Sequence, residues 1–224
     1  MTEPALRRRK VGRGRPVSMT ALIGGVSAMT ALRVLLIQGH PDAVVQHLGH
    51  ALEEAYAQGA EAAGHTVRRI AVAQLDFPLL RSQQAWEAGS LPPALAPAQA
   101  DIAWAQHLVL FFPLWLGDMP ALLKGFLEQV ARPGFAFKPQ GDNPFAGKGL
   151  SGRSARVVVT MGMPALVYRW YFRAHSIKSL ERNLLGFVGL APVTETLIGG
   201  VDKLGEAGVQ KWQTKLRQLG ADAQ

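Results

Sequence analysis

The sequence predicts one α/β domain with a parallel sheet covered by helices on both faces. Short, near-continuous apolar runs recur from Leu32 onward, as in Arg33-Val-Leu-Leu-Ile-Gln38, and such runs suit strands buried on both sides. Longer segments between them carry apolar residues at helical spacing, as at Leu48, Leu52, Ala55 and Tyr56. At 224 residues, 48% hydrophobic and 18% charged, the chain can bury a sizeable core and does not read as disordered.

The elements follow in order. The first strand spans residues 33–38, and Gly39-His-Pro-Asp42 turns the chain into a helix that Gly64 ends, with a glycine just past the last periodic residue. Thr66 to Ala71 reads as a second strand. Residues 76–97, rich in Pro, Ala and Gln, read as a long connection with one helix around Ser82 to Ala88. His107 to Phe112 is a third strand, and Pro120 suits the first turn of a helix running to Val130. Ser154 to Thr160 is a fourth strand, Ala165 to Phe187 a helical region in two pieces, and Val193 to Ile198 a fifth strand. Lys203 to Leu219 closes the domain as an amphipathic helix. For five strands with right-handed crossovers the commonest winding is the flavodoxin-like three-layer sandwich, order 2-1-3-4-5. Its strand order reverses between the first and third strands, and ligands bind there beyond the carboxyl ends.

Charge and composition narrow the function. The net charge is +8, but residues 1–28 alone hold Arg7, Arg8, Arg9, Lys10, Arg13 and Arg15 against Glu3. Residues 1–30 are therefore expected to be a basic, disordered extension, and residues 31–224 the folded domain. A signal peptide is the weaker reading, because Gly24 and Gly25 interrupt the short apolar stretch. The body has no basic stripe interleaved with aromatics, which argues against nucleic acid. Arg33 breaks the best candidate for a membrane span. The absence of cysteine removes disulfides and thiolate metal sites and is compatible with the expected cytoplasmic location.

Several motifs fail on context. Gly147-Lys-Gly149-Leu-Ser-Gly152 fits the dinucleotide fingerprint in letters, but precedes a strand instead of following one, and reads as a glycine-rich turn. Gly141 to Lys148 has the wrong spacing for a phosphate loop. His47, His50 and Glu53 fall at i, i+3, i+6, which could gather a metal but reads as a solvated helix face. No metal site is expected.

Three loops remain, each following a strand. Gly39-His40-Pro41-Asp42 precedes a helix N-terminus, whose free N–H groups and dipole favour a phosphate. Pro113-Leu114-Trp115-Leu116-Gly117 sets an aromatic ring and main-chain amides beside the same crevice, the surroundings a flat isoalloxazine needs. Thr160-Met161-Gly162-Met163 leads to Tyr168 and His175, a phenol and an imidazole able to move protons. Trp170, Tyr171 and Phe172 read as an aromatic patch in the core or at a dimer interface.

These residues resemble the flavodoxin-like NAD(P)H quinone reductases over about Leu32 to Ile198. The most specific stretch is Phe112-Pro-Leu-Trp-Leu-Gly-Asp-Met-Pro-Ala-Leu-Leu-Lys-Gly125, followed by Gly134-Phe-Ala-Phe137. Gly39-His-Pro-Asp42 is similar to the family's phosphate-side turn, and Val159-Thr-Met-Gly162 stands at its Thr-Thr-Gly-Gly-like loop. The resemblance implies a non-covalent flavin, FAD or FMN, held by His40, His47, Leu48, Pro113 to Gly117 and Thr160 to Met163. It also implies NAD(P)H as co-substrate, a quinone-like acceptor, ping-pong turnover and a homodimer. Tyr168 stands at the distance of the family's active-site tyrosine, and His175 one residue beyond its histidine. Two departures stand out. Val44-Val-Gln-His47-Leu48 puts histidine where the family has the serine of a Ser-Phe-Asn-like group, and Met161 and Met163 replace a polar residue and a glycine. They leave open an ancillary flavin-binding protein beside the two-electron enzyme; a one-electron carrier is a third reading, against which the body's slight positive balance argues.

Overall fold

In the computed structural model, residues 1–2, 30–140 and 143–224 are described, with the main chain alone at 139–140 and 143–146. Nearly all of the expected basic extension therefore lies outside the described residues. Residues 31–224 form one compact unit.

The sheet comprises β1 (Arg33–Gln38), β2 (Thr66–Ala71), β3 (His107–Pro113), β6 (Ser154–Met161) and β7 (Val193–Gly199). All neighbours are parallel, in the order β2-β1-β3-β6-β7, which is the expected 2-1-3-4-5 once the hairpin β4 (Phe137–Gln140) and β5 (Asn143–Lys148) is set aside. Alternation along each strand makes two cores. Val34, Leu36, Val109, Phe111, Val158 and Ile198 meet α1 (Leu48–Ala62) and α8 (Gly205–Ala221). Leu35, Ile37, Leu110, Val157 and Val159 face the opposite layer, which includes α3 (Ala96–Trp104) and α4 (Ala121–Val130). Helices α1 and α8 pack with backbones nearly touching. A Cβ on Gly59 would stand 1.9 Å from Arg217 O, and one on Gly220 2.0 Å from Tyr56 O.

The end of α1 is as expected. Gly64 has φ +88°, its N–H donates to Glu61 O, and His65 N–H donates to Ala60 O, the two bonds of a Schellman cap. α2 (Gln83–Glu87) begins at Ser82, whose Oγ accepts from Ala85 N–H at 3.1 Å.

Two features differ from expectation, and a third agrees with it. α3 begins inside the segment read as a connection, with Pro97 in its first turn, where a missing N–H costs nothing. The Gly147–Lys148 part of the supposed turn belongs to β5, because a Cβ on Gly147 would stand 2.6 Å from Lys138 O across the hairpin. The region after β6 is two-part as expected: α5 (Ala165–Trp170) is separated from α6 (His175–Ser179) by Arg173 and Ala174, both at positive φ. A π-helical stretch, Leu180–Leu185, and the short α7 (Gly186–Val188) complete it.

Candidate functional site

The three loops emerge side by side because β1, β3 and β6 are consecutive in the sheet. Gly39 N–H donates to Phe111 O at 2.7 Å, and Leu114 N–H donates to Thr160 O at 2.8 Å, so each turn is tied to the next strand. A Cβ at position 39 would stand 2.6 Å from the buried Leu123 side chain, so any larger residue there would have to displace it.

The first turn is built on polar bonds. His40 is only 8% exposed; its N–H donates to Gln38 Oε1 at 3.1 Å, and its Nδ1 accepts from Asp42 N–H at 3.1 Å. Asp42 Oδ1 accepts from the N–H groups of Val44 and Val45, and Asp42 Oδ2 meets His47 Nε2 at 2.9 Å. The His47 bond and the two main-chain donors hold the Asp42 carboxyl at about 2, below the usual carboxylate range. His47 caps α1, and its N–H donates to His50 Nδ1 at 3.1 Å. The His40 and His47 rings stack at 3.8 Å. Burial first, then the neighbouring His47, hold the His40 and His50 imidazoles below their ordinary range.

The second loop is a tight turn in which Trp115 and Asp118 exchange N–H···O bonds of 2.8 and 2.9 Å. Both central residues have positive φ, Leu116 at 47° and Gly117 at 83°. Trp115 is half exposed, and its ring stands edge-on to His40 at 5.9 Å. First and second loops therefore meet as expected. The third loop is tied to the end of β7: Gly200 N–H donates to Met163 O, and a Cβ on Gly199 would lie 2.1 Å from Ala165 N.

Not every expected residue faces the loops. Met161 does not: β6 extends through it, and it shares the inward parity of Val157 and Val159, so its side chain is buried in the core. Leu48 and Met163 pack partly against the cores, which leaves mainly their backbone for a ligand. Tyr168 is 2% exposed, in the same cluster that Leu114 and Met163 pack against, and its hydroxyl bonds Ser176 Oγ at 2.6 Å. His175 is exposed, beside that pair. Trp170, Tyr171 and Phe172 are all exposed, which removes the core reading for that patch.

The solvated reading of the His47, His50, Glu53 face is also corrected. Glu53 is buried and accepts from Gln38 Nε2 at 2.9 Å, so Glu53 orients Gln38 and Gln38 orients the His40 backbone. Burial, partly offset by the Gln38 bond, pushes the Glu53 carboxyl up. Gln38 and His50 were missed as site residues; the available signal was a polar residue closing an apolar strand. Among the described residues no group of three could hold a metal ion. Cavities of about 480, 400 and 300 Å³ lie against β6, β7 and α8, and none is lined by an expected site residue. The three loops form an open rim, with imidazole donors, main-chain amides and exposed apolar side chains that fit a flat phosphorylated ring.

Residues 32–221 match the family model described as a flavodoxin-like fold. The chain belongs to that family. It is 31% identical over 157 residues to a ribosyldihydronicotinamide dehydrogenase-like protein of Penicillium crustosum, covering 58% of each chain. It is 30% identical over 119 residues to an FMN-dependent NADH:quinone oxidoreductase of Ruegeria pomeroyi, covering 53% of each. The chain thus spans little more than half the length of these two curated relatives, and 96% of a third. An NAD(P)H:quinone oxidoreductase from Methanothermobacter marburgensis has the same fold, with TM-score 0.70 and 25% identity over 86% of this chain and 96% of that one. The resemblance to the flavodoxin-like NAD(P)H quinone reductases is borne out by the family match and by relatives that carry NAD(P)H oxidoreductase and quinone oxidoreductase names.

Proposed function

We propose that the chain is a flavin-dependent NAD(P)H oxidoreductase that reduces quinones or similar acceptors by two-electron transfer. The observation that carries this reading is the meeting of His40 and Trp115 at the strand-order reversal, with Thr160 bonded to the same rim. A bound flavin, FMN or FAD, would supply the hydride chemistry, accepting from the nicotinamide and giving to the acceptor. The chain's own part is binding and orientation. The first turn of α1 and the imidazoles of His40 and His47 hold the phosphate. Trp115 and Leu116 wall the ring, the amides of Leu114 to Gly117 meet its polar edge, and Thr160 and Gly162 close the far side. Tyr168, through Ser176, relays a proton, and His175 connects that pair to solvent. One rim serves both substrates, so turnover is ping-pong. A second copy of the chain packs on the exposed face of Leu166, Trp170, Tyr171 and Phe172 and completes the site as a homodimer.

One observation favours a second reading, a protein that holds flavin without turnover: Tyr168 is buried, which closes its hydroxyl off from an acceptor on the rim. The test is the visible spectrum of the purified full-length chain, before and after NADPH, then with a quinone. A yellow protein that bleaches with NADPH and recovers with quinone is expected. Bleaching without recovery, or none, supports the second reading, a stable semiquinone supports a one-electron carrier, and a protein colourless with both FMN and FAD overturns the flavin site.

A further inference from the structure

Three imidazoles gather at the head of α1. His50 lies 5.5 Å from His40 and 6.0 Å from His47, completing the stack of His40 on His47. Their hydrogen bonds distinguish them. His40 Nδ1 and His50 Nδ1 each accept from a main-chain N–H, so in both rings the proton sits on Nε2, and a second proton would break a bond. Their Nε2–H donors have no partner among the described residues. His47 is different: its Nε2 donates to the Asp42 carboxylate, and Nδ1 can take a proton with no bond lost.

We propose that His40, His47 and His50 form a proton-coupled phosphate site, in which His40 and His50 donate from Nε2 and His47 takes up a proton as a phosphate monoester arrives. The proposal rests on the flavin reading above and adds His50 and the proton to it. The charged or titratable groups facing the triad are Asp42 from the turn and, behind Gln38, Glu53 from α1; the ring packed on it from the second loop is Trp115, which carries no charge. Without a ligand the three rings resist joint protonation, since each added charge faces another imidazole at close range. A dianionic phosphate reverses that balance. The bound site then holds more protons than the free one, so affinity falls as pH rises through the imidazole range.

The test follows flavin binding by fluorescence quenching on the full chain, stripped of flavin, across roughly pH 6.5 to 8.5, a window around and above the ordinary imidazole value. FMN is compared with riboflavin, which lacks the phosphate. The FMN Kd is expected to rise up to about tenfold per pH unit, the limit for uptake of one proton, while riboflavin binding stays flat. In His47→Ser the FMN slope disappears with binding retained, and in His50→Gln FMN binds more weakly at every pH while riboflavin is unchanged. Flavin binding with no FMN slope, an equal riboflavin slope, or a slope that survives His47→Ser would each overturn the proton coupling and leave the flavin reading standing. Failure of FMN, FAD and riboflavin to bind at any pH overturns both.

Discussion

His107 shows how one buried side chain sets the acid tolerance of this fold. It is 1% exposed, its Nδ1 meets Ser154 Oγ at 2.7 Å, and its Nε2 has no partner among the described residues. Burial, then repulsion from Arg156 and His65, brings its imidazole down to about 4. The folded state therefore binds this proton less tightly than the unfolded chain does. The resulting stability is present above the ordinary imidazole range and is lost as pH falls toward the folded value. Over that interval the loss is about 3 kcal/mol. Urea unfolding at neutral pH and near pH 4 should show it, and His107→Leu should flatten the profile by most of that amount; an equally steep profile in the variant would refute the assignment. At this scale the sequence was legible wherever a residue's role follows from its place after a strand, as for His40 and Trp115. It was opaque for Glu53, Gln38 and Met161. Their orientation depends on how α1 seats on β1 and on where β6 ends, and helical spacing alone cannot say which side of a helix is buried.

The strands were readable because each is a short apolar run buried on both faces, and their carboxyl ends located the three loops. The hairpin of β4 and β5 was not, since a two-stranded ribbon with glycine and proline carries neither period clearly. α3 was hidden by its alanine content and by Pro97, which reads as a breaker although it occupies the first turn. The turn after β3 carries a cost that sequence alone did not reveal. Leu116 is fully exposed and sits at φ 47°, where a branched apolar side chain is strained and asparagine or glycine is preferred. Leu116→Asn should therefore stabilise the free protein by about 1 kcal/mol, a rise in Tm of about 2–4 °C for a domain this size. On the proposed function, in which Leu116 walls the ring, the same change should also weaken flavin binding. Differential scanning calorimetry beside a flavin titration checks both halves. A variant that is stabilised and binds flavin unchanged would remove Leu116 from the site.

At the scale of the whole molecule the question is what covers α5. Leu166 is 70% exposed, Trp170 77% and Tyr171 79%, with Phe172 adjoining them. Large apolar groups gathered on one face of a folded chain mark a contact surface. The same face lies next to the positive-φ pair Arg173–Ala174 and to His175, so whatever covers it reaches the end of the third loop's helix. A two-fold copy is the occupant expected, since a self-complementary patch closes on itself and buries both surfaces at once. Sedimentation velocity should then show a dimer for the full chain. Replacing Trp170 and Tyr171 together by glutamate should give a monomer with the same helical circular dichroism, because neither side chain supports the core. Flavin affinity and NADPH turnover should fall in that monomer, as His175 loses the cover beside it. A wild-type chain that stays monomeric at stock concentration removes the dimer outright. A glutamate variant that is monomeric yet fully active would leave the interface in place and confine the active rim to a single chain.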